Sequence, residues 1–390
     1  MSAPCIMVVA AEASGDHLGA GLIRALRARL GADARFVGIG GARMAEEGIE
    51  SPFDIRSLSV LGLFEGVIAW PRVVERAART VEVARREKPE IAVLIDSWGF
   101  TLRVAHRLRG LRPAPLIIKY VAPQVWASRP GRVRTLARAV DRLLSIHAFD
   151  APLFEREGLA VTFVGNPALA RDFSGADPAA LRARIGARIG DPIVLVLPGS
   201  RPAEIDRLLP RFEAAVARLK AGRPGLHVLV AGAETVAAEV AARVAGWPMR
   251  AHAILGEPAR LEAMRTATVA LACSGTVTTE LALAGCPMVV AYRLGTITHA
   301  VARHLIRTPF ITLINVAAGR LVVPEFIQDA ATGEALAGEL ALRLDDRALR
   351  EGQIAAQNAA LEIMRGGIDD PVGAAADAVI AALRRSREAA

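Results

Sequence analysis

Val269-Ala270-Leu271-Ala272-Cys273-Ser274-Gly275-Thr276-Val277-Thr278-Thr279-Glu280-Leu281-Ala282-Leu283-Ala284-Gly285-Cys286-Pro287-Met288-Val289-Val290-Ala291-Tyr292-Arg293 is the stretch that decides the fold class. It reads as a buried strand over Val269–Cys273, a tight polar turn at Ser274-Gly275-Thr276, a short helix, and a second apolar strand over Met288–Tyr292. Strands without polar alternation are covered on both faces, as in a parallel βαβ unit. Gly275 lets the backbone approach a ligand, and the first amides of the helix point outward as anion donors. Glu280 lies about one helical turn further on, within reach of a sugar hydroxyl. The same residues also read as an ordinary βαβ turn capped by Ser274 or Thr276, so the surroundings must decide.

Outward from that stretch the pattern repeats. In the same half, apolar strands are expected over Ile193–Leu197, His227–Ala231 and 253–255. In the first half they fall at 5–10, 35–41, 91–96, 116–121, 143–146 and 161–164, with helical segments between them. Strand–helix alternation in both halves predicts an α/β protein of two Rossmann-like parallel-sheet domains with a cleft between them. Residues 165–178, opening on Gly165-Asn166-Pro167, read as a linker. The expected domains are therefore 1–168 and 169–370, with a tail helix at about 371–388 crossing back to the first.

The chain has 390 residues, enough for two domains that each bury a core. Hydrophobic residues make up 53%, yet no apolar run approaches the roughly 20 residues of a membrane span. The apolar start lacks a basic leader and runs into Glu12 and Asp16, so it reads as a first strand and not as a signal peptide. Cys5, Cys273 and Cys286 show no metal-like spacing and suit a reducing cytosol. A formal charge of +8 favours anionic partners such as nucleotides, phosphorylated lipids or an anionic membrane. With 4% aromatic residues there is little to stack bases on, which argues against nucleic acid.

Several segments carry chemistry. Pro198-Gly199-Ser200-Arg201, between a strand and a helix, offers amides, a hydroxyl and a guanidinium to a diphosphate, with Glu204 shortly after. Asp96 ends an apolar strand where such sheets bind ligands, although it also reads as a helix cap. Ser14 and Gly15 stand in the turn after the first strand, where a polar ligand would be received at the carboxyl edge of the sheet, although an N-cap by Ser14 or Asp16 reads equally well. The run 58–70, with Val60, Leu61, Leu63, Phe64, Val67, Ile68 and Trp70, reads either as a core helix or as a patch that dips into a membrane interface, Pro71 starting a fresh helix. No Walker loop, dinucleotide fingerprint, metal signature or Gly-x-Ser-x-Gly elbow is present, so neither a metal nor a cofactor is expected.

Taken in order, these residues resemble the lipid-A-disaccharide synthase family over nearly the whole chain. The match comprises Glu12-Ala13-Ser14-Gly15-Asp16, Leu197-Pro198-Gly199-Ser200-Arg201 with Glu204-Ile205, and Ser274-Gly275-Thr276 to Glu280. It continues through Cys286-Pro287 to Tyr292-Arg293, and through Asn315-Val316-Ala317-Ala318-Gly319-Arg320 with Val323-Pro324-Glu325. The resemblance implies a GT-B glycosyltransferase on the inner face of the cytoplasmic membrane. It implies inverting transfer of 2,3-diacylglucosamine from UDP to the 6-hydroxyl of 2,3-diacylglucosamine 1-phosphate, giving a β-1,6 disaccharide and UDP. Asp96 is then the expected general base and Arg201 the stabiliser of the departing diphosphate. Glu280 is the ribose contact, and Asn315 lies near the nucleotide. Arg293 completes the substrate-binding set, and run 58–70 meets membrane or acyl chains. A second copy of the chain, in a homodimer, stays an open partner.

The chain departs from the family pattern where Asp96 is followed by Ser97-Trp98-Gly99-Phe100 in place of Ser/Ala-Pro-Asp-Phe, so a second acid is missing. Asn166 stands where His is common, and Ser128 where Trp is common. Rival readings are a UDP-N-acetylglucosamine 2-epimerase-like isomerase and a paralogue that binds lipid or nucleotide without turnover.

Overall fold

The structure, a computed structural model, describes residues 3–58, 63–125, 131–295 and 308–388, with only the backbone at 56, 57 and 63–69. The chain divides into two compact units. Met1–Pro167 and Gly366–Ala390 form one, and Ala168–Arg365 the other.

In the first unit, strands β1 (Cys5–Val9), β2 (Arg35–Ile39), β3 (Ile91–Ile95), β4 (Leu116–Tyr120), β5 (Arg142–Ser145) and β6 (Ala160–Phe163) form one sheet in the order β2-β1-β3-β4-β5-β6. Every pairing is parallel. Helices α1 (Ala13–Leu30), α2 (Ala42–Glu46), α3 (Leu63–Glu87), α4 (Trp98–Leu108), α5 (Arg132–Ala139) and α6 (Ala151–Glu155) connect them. Strands β1 and β3 are apolar at every position because helices cover both of their faces, giving one core around Leu94, Phe100 and Leu143 and another around Val8, Leu22 and Ile118. Chain order reverses between β1 and β3, which makes that point the crevice of this sheet.

Strands β7 (Ile193–Leu197), β8 (His227–Ala231), β9 (His252–Ile254), β10 (Val269–Cys273), β11 (Met288–Tyr292) and β12 (Glu325–Ile327) build the second sheet, in the order β12-β11-β10-β7-β8-β9. It too is parallel throughout. Its helices are α7 (Pro178–Ile185), α8 (Pro202–Ala221), α9 (Ala237–Ala245), α10 (Glu257–Thr266), α11 (Thr276–Leu283), α12 (Leu313–Ala318), α13 (Gly333–Asp345) and α14 (Arg347–Arg365). The α/β fold with two Rossmann-like sheets is as the strand–helix alternation predicts. Strand β12 escapes the sequence reading, since three residues after Pro324 make no periodic signal.

The last helix, α15 (Pro371–Glu388), packs Val379 and Leu383 into the core that holds Leu22 and Leu26. Arg387 grips Glu90 with two hydrogen bonds of 2.7 and 2.9 Å. Asp370 caps its start through the Gly373 amide at 2.9 Å.

Two local expectations need correction. Pro71 does not begin a helix but lies inside α3, which continues across it at the loss of one backbone hydrogen bond. Ser14 and Gly15 lie in the first turn of α1 and not in a loop before it, and the N-cap is Glu12. Neither Ser14 nor Asp16 caps α1; Asp16 turns outward to another helix.

Candidate functional site

In the second unit the order reverses between β7 and β10, which are hydrogen-bonded neighbours. The loops leaving their carboxyl ends therefore meet in one crevice, although 75 residues separate Gly199 from Ser274 in sequence. A cavity of about 300 Å³ opens there, lined among others by Gly199, Ser200, Arg201, Glu204, Arg260, Ser274, Gly275, Thr276 and Glu280. That volume is at the low end for a small-molecule site.

Gly199 has φ 123°, and a Cβ there would lie 2.7 Å from Glu204 Oε2 and 2.9 Å from Glu204 Cβ, so the loop requires glycine. Pro202 opens α8 at a position that needs no N–H. Glu204 reaches back to accept from the Ser200 amide at 3.1 Å and from Arg201 Nη1 at 3.1 Å. The Ser200 amide, expected to face a diphosphate, is thus already engaged. Arg201 keeps 60% of its side chain exposed at the rim.

Across the crevice no side chain caps α11, whose N-cap is Gly275. The Thr278 amide turns back to the Gly275 carbonyl at 3.1 Å, and those of Thr276 and Val277 have no side-chain cap. Ser274 does not cap it either; its hydroxyl donates to the Ile311 carbonyl at 2.9 Å. Thr278 is buried and donates to the Gly275 carbonyl at 2.8 Å. Glu280 is buried and held by Arg260 and Arg171 at 2.7 Å each.

Asn315, expected near the nucleotide, does not line this cavity. It is fully buried, donating to the Val323 carbonyl and Glu325 and accepting from the Val322 and Val323 amides at 2.7–2.8 Å. Glu325 in turn accepts from the Ile311 and Thr312 amides and the Thr312 hydroxyl. Asn315 and Glu325 together brace the loop whose Ile311 carbonyl holds Ser274. Arg293, at the end of β11, also stands off the cavity; it donates to the Gln328 carbonyl and Asp329 at 3.1 Å.

In the first unit, Asp96 and Ser97 occupy the turn from β3 to α4 with φ 44° and 42°. Two successive left-handed residues that are not glycine mark a strained turn, of the kind that collects at functional sites. The Asp96 carbonyl is held from inside by the Thr101 hydroxyl at 2.7 Å and by Lys119 Nζ. Lys119 Nζ also donates to Thr101 Oγ1 at 2.9 Å. Burial pushes the Lys119 ammonium down to about 7, against the pull of Asp96 and Glu12. Gly99, where the second acid is missing, is exposed, and an added Cβ would meet only Arg103 Nη1 at 3.7 Å. Trp98 beside it lies under the Arg132 guanidinium, 4.9 Å from the ring centroid.

Of the apolar run 58–70, Val60 and Leu61 lie outside the described residues, as do the side chains of Leu63, Phe64, Val67 and Ile68. Trp70 is 54% exposed, and the Arg103 guanidinium sits 3.8 Å from its ring centroid. Gly15 packs against Ala10 and Ile95, and Ser14 is exposed in the first turn of α1.

Sequence reasoning missed Lys119, Arg171 and Arg260. Lys119 had a signal, being a charge in the otherwise apolar strand β4 of a sheet covered on both faces. The arginines had none, because their partner Glu280 is remote in sequence and many arginines surround them.

Comparison with known proteins follows this geometry. Residues 6–371 match the family model described as lipid-A-disaccharide synthetase. The lipid-A-disaccharide synthase of Rhodospirillum centenum is 38% identical over 375 residues, covering 96% of this chain and 94% of the relative. That of Nitrobacter hamburgensis is 40% identical over 383 residues, covering 98% and 96%. Among solved structures, a putative UDP-N-acetylglucosamine 2-epimerase from Listeria monocytogenes superposes with a TM-score of 0.60 at 15% identity, covering 100% of this chain and 98% of that one. The glycotransferase of kitacinnamycin superposes with a TM-score of 0.62 at 17% identity, covering 98% and 99%. At such identities the likeness is one of fold, the GT-B arrangement.

Proposed function

The chain belongs to the lipid-A-disaccharide synthetase family, and from that premise we propose an inverting transfer of 2,3-diacylglucosamine from UDP to the 6-hydroxyl of 2,3-diacylglucosamine 1-phosphate. Membership makes it a glycosyltransferase of lipid A biosynthesis; the substrates and stereochemistry are our reading. The observation that carries it is the crevice between β7 and β10, where an exposed guanidinium, a glycine-dependent loop and an uncapped helix start surround the buried carboxylate of Glu280.

In this mechanism the UDP diphosphate lies between Arg201 and the amides at Gly199 and the start of α11. Arg201 donates to the β-phosphate as the glycosidic C–O bond breaks and negative charge grows on it, so its contribution is largest in the transition state. Glu280 accepts from a ribose hydroxyl. In the first unit Asp96 takes the proton of the acceptor 6-hydroxyl as its oxygen attacks the anomeric carbon from the face opposite UDP, giving the β-linkage. Trp70 and the run 58–70 meet the acyl chains and the inner face of the membrane, with the protein in the cytosol. Among the described residues no helix is long and apolar enough to cross a membrane.

The test is incubation of the purified protein with both lipid substrates, separating products by chromatography and mass. Disaccharide and UDP in equal amounts are expected. Absence of disaccharide under conditions where a relative produces it would overturn the proposal.

A further inference from the structure

Arg260 lines the cavity without a role in the reading above. Its guanidinium clamps Glu280 fork to fork, Nη1 to Oε2 at 2.7 Å and Nη2 to Oε1 at 3.3 Å. Nη2 also donates to Glu257 at 3.1 Å. Arg171 donates Nη1 to Glu280 Oε1 at 2.7 Å and pairs with Glu257 as well. Two arginines and two glutamates thus close a ring of alternating charge, with Glu280 buried at its cavity end.

The acceptor count of Glu280 then becomes restrictive. An ionised carboxylate has about four lone-pair positions. Both positions on Oε1 and one on Oε2 are taken, so a single position is left. A ribose presents two adjacent hydroxyls, and Glu280 accepts from only one of them. Arg260 keeps one Nη1 hydrogen and its Nε hydrogen without a protein acceptor among the described residues.

We infer that Arg260 and Glu280 form a composite reader of the ribose cis-diol, Glu280 accepting from one hydroxyl and Arg260 donating to the oxygen of its neighbour. Arg260 is at once a binding residue and the positioning residue for Glu280, and the ligand class it selects is a ribonucleoside diphosphate over its 2′-deoxy counterpart. The inference rests on the cavity being the nucleotide site.

The experiment is calorimetric titration of the full chain with UDP and with 2′-deoxy-UDP. Wild type should prefer UDP by about tenfold, the worth of a hydrogen bond to a charged group. Arg260→Gln should weaken UDP and bring the ratio of the two affinities near one. Arg260→Lys keeps the charge but not the fork, and should not restore the ratio. Arg171→Gln lies outside the cavity lining and frees one acceptor position on Glu280 Oε1, so it should keep or raise the ratio. If the Arg260 variants do not fold, a ratio brought to one by this variant, with Arg260 in place, overturns the inference. UDP binding with an unchanged ratio in folded Arg260→Gln overturns the inference while leaving the nucleotide site intact. No UDP binding by wild type removes the nucleotide reading, and the inference with it.

Discussion

The Asp16 carboxylate, in α1, accepts the backbone amide of Met44, in α2, at 3.1 Å through Oδ1. The same oxygen takes the Gly41 amide at 2.7 Å, and Oδ2 takes that of Arg43 at 3.0 Å. One buried acid thus satisfies three amides at the start of a helix that has no cap of its own. Asp16→Ala should cost about 2–3 kcal/mol in urea unfolding, from lost capping and buried unsatisfied amides. UDP affinity should stay as in wild type. A midpoint of unfolding unchanged by the substitution would remove Asp16 from this role.

Lys119 sets a pH dependence of stability. Its folded pKa, about 7, lies below the ordinary lysine value, so between about pH 7 and 10 the unfolded chain binds more protons than the folded one. Its contribution to stability therefore rises with pH across that window. Lys119→Met, which keeps the stem and removes the ammonium, should flatten the rise seen in thermal melts. A slope identical to wild type would contradict the assignment.

Asp96→Asn keeps the shape of the turn, because the main-chain carbonyl, not the carboxylate, makes the bonds to Thr101 and Lys119. It should lower kcat by about a hundredfold or more, in line with loss of a general base, and leave UDP binding unchanged. Full turnover by the variant would reassign the base.

Gly99→Asp restores the acid that the family pattern carries, into space bounded only by Arg103. With Asp96 as base, kcat should change by less than about threefold, since proton transfer contributes its factor through one positioned group. A gain well beyond that would move the base role to position 99. Melting should be unaffected, as the residue is exposed.

Gly199→Ala forces a methyl against Glu204 and a side chain into a left-handed backbone. It should destabilise by about 1–3 kcal/mol and weaken UDP, whereas the equivalent change at exposed Gly222 should do neither. Equal effects at the two positions would show that Gly199 is not specially required.

The sequence by itself determined the sheets and their class. Runs such as Ile193–Leu197 and Val269–Cys273 are apolar at every position, and only a strand covered on both faces tolerates that. It also marked the two loops of the cavity, because Gly199, Arg201 and Gly275 follow those strands directly. Tertiary structure alone decided which of the marked residues face the cavity. Asn315 and Arg293 belong to the same family match as Ser274 and Glu280, yet Asn315 spends its amide on Val322, Val323 and Glu325, and Arg293 turns its Nη1 to Gln328 and Asp329. Capping by Asp16, the Lys119 strut and the Arg171–Glu280–Arg260 ring were likewise out of reach. Each joins residues about 20 to 110 positions apart, and local periodicity carries no information about pairing at that distance.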